Sequence, residues 1–292
     1  MDRDTIVTDR QIKHLRIFSL ILCVVLVIGG VGGAFCGYKL YRKVKDDEET
    51  IARIEGQTDY LQEKLNQATD YYNFQTDYSN DTYNYFAIGN SLTLITSWGR
   101  GICSTKMDND YFHLVEKYIQ TARPQKGSTG TTEYSGVTAY PYNFAAWERA
   151  ADRNSMDDLL DVYLSDKLDL VTIQLSENCV DVSTLDTDLE GLVDYVHEKA
   201  PNAQIIIIGD FWDQNKSDLC RKAAEAKNVP FADLSPIIGD AAYQSKAGTV
   251  CEGPNNADGS KGENIIVPEK AASHPGDKGM KYIADTVTKL LK

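Results

Sequence analysis

Two short segments constrain the fold of this chain more than anything else in it. Asp169–Leu175 (DLVTIQL) and Gln204–Gly209 (QIIIIG) are apolar almost without a break. A strand with one wet face alternates with a period of two, whereas a strand covered on both faces reads as a continuous Val/Ile-rich run. Helical spacing surrounds these runs: Asn109–Ala122 through Phe112, Val115 and Ile119, then Met156–Leu164, Leu185–Lys199, Lys216–Lys227 and Asp277–Leu291. Tyr83–Gly89 and Val229–Leu234 read as further buried strands, and Glu133–Phe144 as extended chain. Apolar strands separated by helices predict a parallel sheet with helices on both faces. The expected architecture over residues 81–292 is a three-layer α/β/α domain with a flavodoxin-like parallel sheet. Residues 245–270, rich in Gly and Asn, read as an insertion of loops or a small hairpin.

The region before this domain has a different character. From Ile17 to Tyr38 there is no charged residue, a run of 22 bracketed by Arg16 and Lys39. That length crosses a hydrocarbon core of roughly 30 Å. The apolar part of a cleaved signal peptide is shorter, about 7–15 residues, and Phe35 stands where a lipoprotein cleavage site needs a small side chain. Residues 17–38 are therefore expected to form one uncleaved transmembrane helix. Four basic residues precede it (Arg3, Arg10, Lys13, Arg16) and four follow (Lys39, Arg42, Lys43, Lys45), so the charge asymmetry that orients a span is nearly tied. A short tail, one span and a large C-terminal domain is the signal-anchor layout. It places residues 1–16 in the cytoplasm and makes the chain a single-pass protein of the cell membrane, its domain extracytoplasmic.

Gly29, Gly33 and Gly37 recur every four residues, the spacing at which two membrane helices approach closely. Ile51, Ile54, Thr58, Leu61, Leu65, Ala68 and Tyr72 follow in steps of three and four, a short coiled-coil seam. Residues 39–80 then read as a helical stalk and polar linker, and with the glycines they predict a homodimer.

Charge excludes some classes of partner. The whole chain carries a net charge of −13. Residues 1–45 hold eight Lys/Arg and three Asp/Glu, leaving 22 against 40, or −18, for the rest. Phosphate backbones bind basic faces, so nucleic acid is not an expected partner. No Cys-x-x-Cys, His-Glu-x-x-His or P-loop pattern occurs, and no metal or cofactor is implied.

Open parallel sheets bind ligands beyond the carboxyl ends of their strands. There the sequence places Gly89-Asn90-Ser91-Leu92-Thr93, Asn143-Phe144-Ala145, Ser176-Glu177-Asn178 and Asp210-Phe211-Trp212, with Ser273-His274-Pro275-Gly276 before the last helix. A serine, an asparagine and a histidine thus converge on one edge. A serine hydroxyl becomes a useful nucleophile when a neighbouring base takes its proton, which histidine does near neutral pH. The blander readings are a helix N-cap for Ser91, a turn residue for Asn178 and a helix start for His274. His113 and His197 lie within helical patterns and read as structural, whereas Asp210 and Trp212 read as lining the pocket mouth.

The order of these blocks resembles the SGNH (GDSL-like) hydrolase superfamily over essentially all of residues 83–292. Gly89-Asn90-Ser91-Leu92 is similar to the family's Gly-Asp-Ser-Leu, with Asn90 in place of the acid. Asn143-Phe144-Ala145 stands for its Asn-x-Gly, with Gly136 as the fallback, and Ser176-Glu177-Asn178-Cys179 keeps only the asparagine of Gly-x-Asn-Asp. Ala271-Ala272-Ser273-His274-Pro275 keeps His-Pro but lacks the acid three residues before the histidine. The resemblance implies a Ser91 nucleophile, a His274 base and an oxyanion hole of the Ser91 N–H, the Ala145 N–H and the Asn178 amide. It implies a serine esterase or O-acyltransferase acting on O-acyl, notably O-acetyl, groups of carbohydrate. A catalytically impaired domain that binds glycan or protein is the alternative. With Ala271 in the acid's place, the group orienting His274 is expected to be a nearby backbone carbonyl, with Glu269 the other candidate. Among the four cysteines of the domain, Cys103 and Cys179 are the favoured disulfide, because both follow strands at the active edge.

Overall fold

The computed structural model describes Lys43, Lys45, Thr58 and residues 76–122, 135–256 and 258–292. The transmembrane helix expected over 17–38 and most of the stalk lie outside the described residues; no helix among those described is long and apolar enough to cross a membrane. The chain divides into two compact units, Met1–Ala52 and Arg53–Lys292. Every element named below belongs to the second.

Five parallel strands form the central sheet: β1 Thr82–Gly89, β2 Gly136–Asn143, β3 Leu170–Gln174, β4 Gln204–Ile208 and β5 Phe231–Ala232, in the order β2-β1-β3-β4-β5. This is the flavodoxin-like order, in which the chain reverses direction across the sheet beside β1. The register sets Gly89 against Asn143 on one side and Gln174 on the other, so all three loops leave the sheet at one level.

The continuous apolar runs have the reason the sequence suggests. Ile205 and Ile207 of β4 join Phe86, Ile88, Val171 and Ile173 in one cluster, under α3 (Leu185–Lys199) and α4 (Gln214–Ala226). Ile206 and Ile208 point the other way, joining Tyr85, Ala87 and Leu170 under α1 (Tyr111–Ala122) and α5 (Asp277–Thr288). Each side chain so buried contributes about 1.5–3 kcal/mol relative to exposure, and alternation of a two-faced strand closes three layers. The insertion carries a two-residue antiparallel pair, β6 Val250–Cys251 with β7 Ile265–Ile266.

One local expectation needs correction, and one short helix is unexpected. The spacing predicts a helix over 156–164, but Asn154–Leu160 forms a 3₁₀ segment instead. Its Asp157 Oδ1 accepts from Trp147 Nε1 at 3.1 Å and Ser155 Oγ donates to Asp152 O, contacts that draw side chains away from a regular α-turn. A five-residue helix, α2 (Ala145–Arg149), directly follows β2; it is too short to leave a periodic signal.

Candidate active site

β1 ends in a turn that Asn90 builds from both its side chain and its backbone. Asn90 O accepts from the N–H groups of Thr93 and Leu94, each at 3.0 Å, and Asn90 Oδ1 accepts from Leu92 N, also at 3.0 Å. The chain folds back so closely that a Cβ on Gly89 would lie 1.8 Å from Thr93 Oγ1. Only glycine fits there without movement. The turn presents Ser91 half-exposed, and its N–H and hydroxyl have no hydrogen-bond partner among the described residues.

His274 stands before α5. Its Nδ1 lies 3.1 Å from the Ala271 carbonyl, which also accepts the His274 N–H at 3.0 Å. With Nδ1–H donating to that carbonyl, Nε2 is left as the basic nitrogen. Burial lowers the pKa of His274 below its ordinary value, with the Ala271 carbonyl opposing the shift, so the ring is neutral at neutral pH. The Trp212 ring meets it edge-on, centroids 5.1 Å apart, and is fixed by its Nε1 donating to Ser273 O at 2.9 Å. Glu269 is exposed, and none of its atoms bonds to the imidazole.

The serine and histidine segments are tied together. Cys103 Sγ donates to Ala271 O at 3.3 Å, the carbonyl that faces His274. Ile102 N, beside it, donates to Ser91 O at 2.9 Å. Asp277, the first residue of α5, accepts from Thr105 N at 2.7 Å and Asn109 Nδ2 at 2.9 Å. Arg100, fully buried, adds bonds to Ser104 O and Glu252 O, fastening the same loop to the insertion. Ser91 and His274 thus flank one short path of contacts, without a hydrogen bond between their side chains.

The other two expected oxyanion donors are already engaged. Ala145 N donates to Asn143 Oδ1 at 3.0 Å, while Asn143 Nδ2 reaches Leu94 O. Asn178, exposed as a residue, gives Nδ2 to Glu148 Oε2 at 2.6 Å and keeps a second hydrogen on that nitrogen. Gly136, the fallback, opens β2 at the far end of the strand and is remote from this edge.

Sequence reasoning missed Glu148 and passed over Glu177. Glu148 Oε1 accepts from Asn90 Nδ2, Ser176 N and Asn178 N at 2.8–3.1 Å. Glu177 accepts from Asn90 Nδ2 at 2.6 Å and from Gln174 Nε2 at 2.5 Å. Burial raises both carboxyls, and for Glu177 the neighbouring Asp210 and Glu148 add to it. Glu148 sits in the sequence Ala145-Ala146-Trp147-Glu148-Arg149, where only a charged residue beside a Trp just after a strand hinted at a buried role. Asp210 is itself buried, holding Ser176 Oγ at 2.8 Å and the Trp212 and Asp213 N–H groups. It shapes the edge from beneath instead of lining a mouth.

Cys103 and Cys179 do not pair: all four thiols of the domain are free and buried. Cys103 lies in a small cluster with Trp98, Cys251, Val267 and Ala271, whereas Cys179 and Cys220 belong to the cluster under α3 and α4. His113 is half-buried, its Nδ1 2.7 Å from Asp110 Oδ1.

No protein-family model matches the chain, and no curated protein matches it. Solved structures do. A salicylyl-acyltransferase, SsfX3, from a tetracycline biosynthetic pathway is 14% identical with a TM-score of 0.44, over 72% of this chain and 54% of that one. A two-domain esterase active on acetylated mannans is 16% identical with a TM-score of 0.45, over 72% and 48%. A lipolytic protein of the G-D-S-L family from Desulfitobacterium hafniense is 15% identical with a TM-score of 0.37, over 72% and 100%. The chain spans about half the length of the first two.

Proposed function

We propose that this chain is a membrane-anchored, extracytoplasmic serine esterase of the SGNH kind, acting on O-acyl groups of carbohydrate through Ser91 and His274. The observation that carries the reading is the imidazole of His274, held by a backbone carbonyl at Nδ1 with Nε2 left basic, on the sheet edge where Ser91 follows β1. Nε2 takes the Ser91 hydroxyl proton as Oγ attacks the ester carbonyl. The Ser91 N–H, which has no acceptor of its own, and the second hydrogen of Asn178 Nδ2 receive the developing oxyanion; one such donor is typically worth about 2.7–4 kcal/mol of barrier. The Ala145 N–H joins them when Asn143 Oδ1 releases it. As the acyl C–O bond breaks, His274 returns the proton to the leaving sugar oxygen, and water or an acceptor alcohol discharges the acyl-enzyme. A carbonyl stabilises the imidazolium less than a carboxylate does, so turnover is slower than with a complete triad. Anchoring through residues 17–38, with the stalk as spacer and dimer seam, keeps such an enzyme beside cell-surface glycan.

A second reading has its own support. Among the described residues Ser91 and His274 are not hydrogen-bonded, the Ala145 N–H is occupied, and no acid is bonded to His274. These features suit an SGNH domain that binds glycan or a protein without cleaving it. Acetate release from acetylated mannan and xylan oligosaccharides decides between them. The esterase reading expects Ser91→Ala and His274→Ala each to lose a factor on the order of 10³ or more in kcat. Retention of the oligosaccharide with no release by the wild type supports the binding module.

A further inference from the structure

We infer that Glu148 and Glu177 are positioning residues for the Ser91 turn, and that they are why position 90 carries Asn where the resemblance leads one to expect Asp. The inference rests on the esterase reading for its functional part only. Asn90 is fully buried and uses both amide hydrogens and its amide oxygen. Its Oδ1 accepts from Leu92 N at 3.0 Å, and its Nδ2 donates to Glu148 Oε1 at 3.1 Å and Glu177 Oε2 at 2.6 Å. The two hydrogens of one amide thus bridge two carboxyl groups, one on the short helix α2 and one on the loop after β3. Glu148 extends the bridge to the β3 loop through Ser176 N, Asn178 N and Asn178 Nδ2. The loops after β1 and β3 are in this way clamped to the short helix after β2, and the clamp holds both Ser91 and Asn178.

Aspartate at position 90 keeps the Leu92 contact but turns a donor into a second oxygen facing two carboxyl groups. Like charges at that distance force one group to hold a proton. Among the described residues, no cation is bonded to the carboxyl group of Glu148 or Glu177. Lys216 Nζ donates to the Glu177 backbone oxygen at 2.8 Å, Arg153 pairs with Asp188, and the remaining titratable neighbours, Asp210, Tyr111, Cys179 and Cys220, are acidic or neutral. Asp210 adds a third carboxyl to the surroundings of Glu177.

The test compares Asn90→Asp, Asn90→Ala and the double variant Asn90→Asp with Glu177→Gln against the wild type from pH 5 to pH 8. Two readouts are used: the melting temperature and the rate of Ser91 labelling by a fluorophosphonate, taken as a ratio to wild type so that the titration of His274 cancels. Asn90→Asp is expected to lower Tm at pH 8 by on the order of 5 °C and the labelling ratio about tenfold. Both recover toward pH 5, as a shared proton relieves the repulsion. Asn90→Ala is expected to lose both to a pH-independent extent. Glu177→Gln, whose amide can donate to the introduced carboxylate, is expected to restore part of the loss at pH 8. An Asn90→Asp variant as stable as wild type at pH 8, or a deficit that ignores pH and is not eased by Glu177→Gln, overturns the inference. The Tm series stands without ester cleavage. A wild type that never labels therefore counts against the esterase reading and leaves the clamp to be judged on stability.

Discussion

Gly89→Ala is the perturbation whose consequence the structure sets most tightly. The added methyl lies 1.8 Å from Thr93 Oγ1, 2.7 Å from Thr93 Cβ and 3.2 Å from Gln174 O. Thr93 has to swing or shift, and its hydroxyl is the partner of the buried Tyr111 hydroxyl at 2.6 Å. Overpacking of this kind costs about 1–3 kcal/mol, and leaving a buried hydroxyl unpaired costs about 1–3 kcal/mol more. The expected destabilisation is about 2–6 kcal/mol, read from urea unfolding by linear extrapolation. Thr93→Ala alone removes that hydrogen bond together with a buried methyl group and is expected to cost about 1–3 kcal/mol. Because Oγ1 is then absent, Gly89→Ala made in the Thr93→Ala background is expected to cost less than in the wild type. The turn displaced is the one that carries Ser91, so acyl transfer is expected to fall by about 10² even where the variant remains folded. A Gly89→Ala protein within about 0.5 kcal/mol of wild type, the margin ordinary for surface changes, refutes the close-approach argument; strict additivity with Thr93→Ala refutes its assignment to Thr93.

Other groups have consequences of their own. Burial lowers the pKa of His274, so the acid limb of kcat/KM is expected below about pH 6.5, the usual histidine value; a limb above it contradicts the buried neutral imidazole. Burial pushes Asp157 up to about 7 from about 3.9 in the unfolded chain. Its contribution to stability is therefore present below about pH 4 and lost as pH rises toward 7, and Asp157→Asn, which can still accept from Trp147 Nε1, is expected to flatten that part of the Tm profile. Oxidation of the folded domain is expected to link Cys103 with Cys251 and Cys179 with Cys220, each pair sharing a cluster; peptide mapping that finds Cys103–Cys179 rules this out. Gly33→Ile is expected to loosen a full-length dimer in mild detergent, and a wild type that is monomeric there removes the proposed seam.

Much of this arrangement was legible in the sequence, for reasons tied to particular residues. The run Ile205–Ile208 announces a strand buried on both faces because it is short, wholly β-branched and closed by Gly209, and its side chains do divide between the two clusters. The bounds of α3 could be read because Leu185, Leu189, Leu192, Val193 and Val196 repeat on one face. The carboxyl-edge rule then placed Ser91, Asn178 and His274 on the same side. What escaped was whatever depends on pairing across loops. Glu148 belongs to a helix of five residues, too short for periodicity, and its partners Asn90, Ser176 and Asn178 lie 28–58 positions away. The engagement of the Ala145 N–H by Asn143 is a local side-chain turn that competes with the expected oxyanion role. The cysteine pairing was misread because proximity to one edge of the sheet says nothing about which face a thiol lies on.

The central claim is that Ser91 is a nucleophile activated by His274. It is tested most directly by treating the full-length protein with a fluorophosphonate at neutral pH and locating the adduct by peptide mass spectrometry. The account predicts one adduct, on Ser91, formed by the wild type and by Glu269→Gln, lost in Ser91→Ala, and slowed by orders of magnitude in His274→Ala. A folded wild type that takes up no label, or one labelled as fast without His274 as with it, contradicts the account.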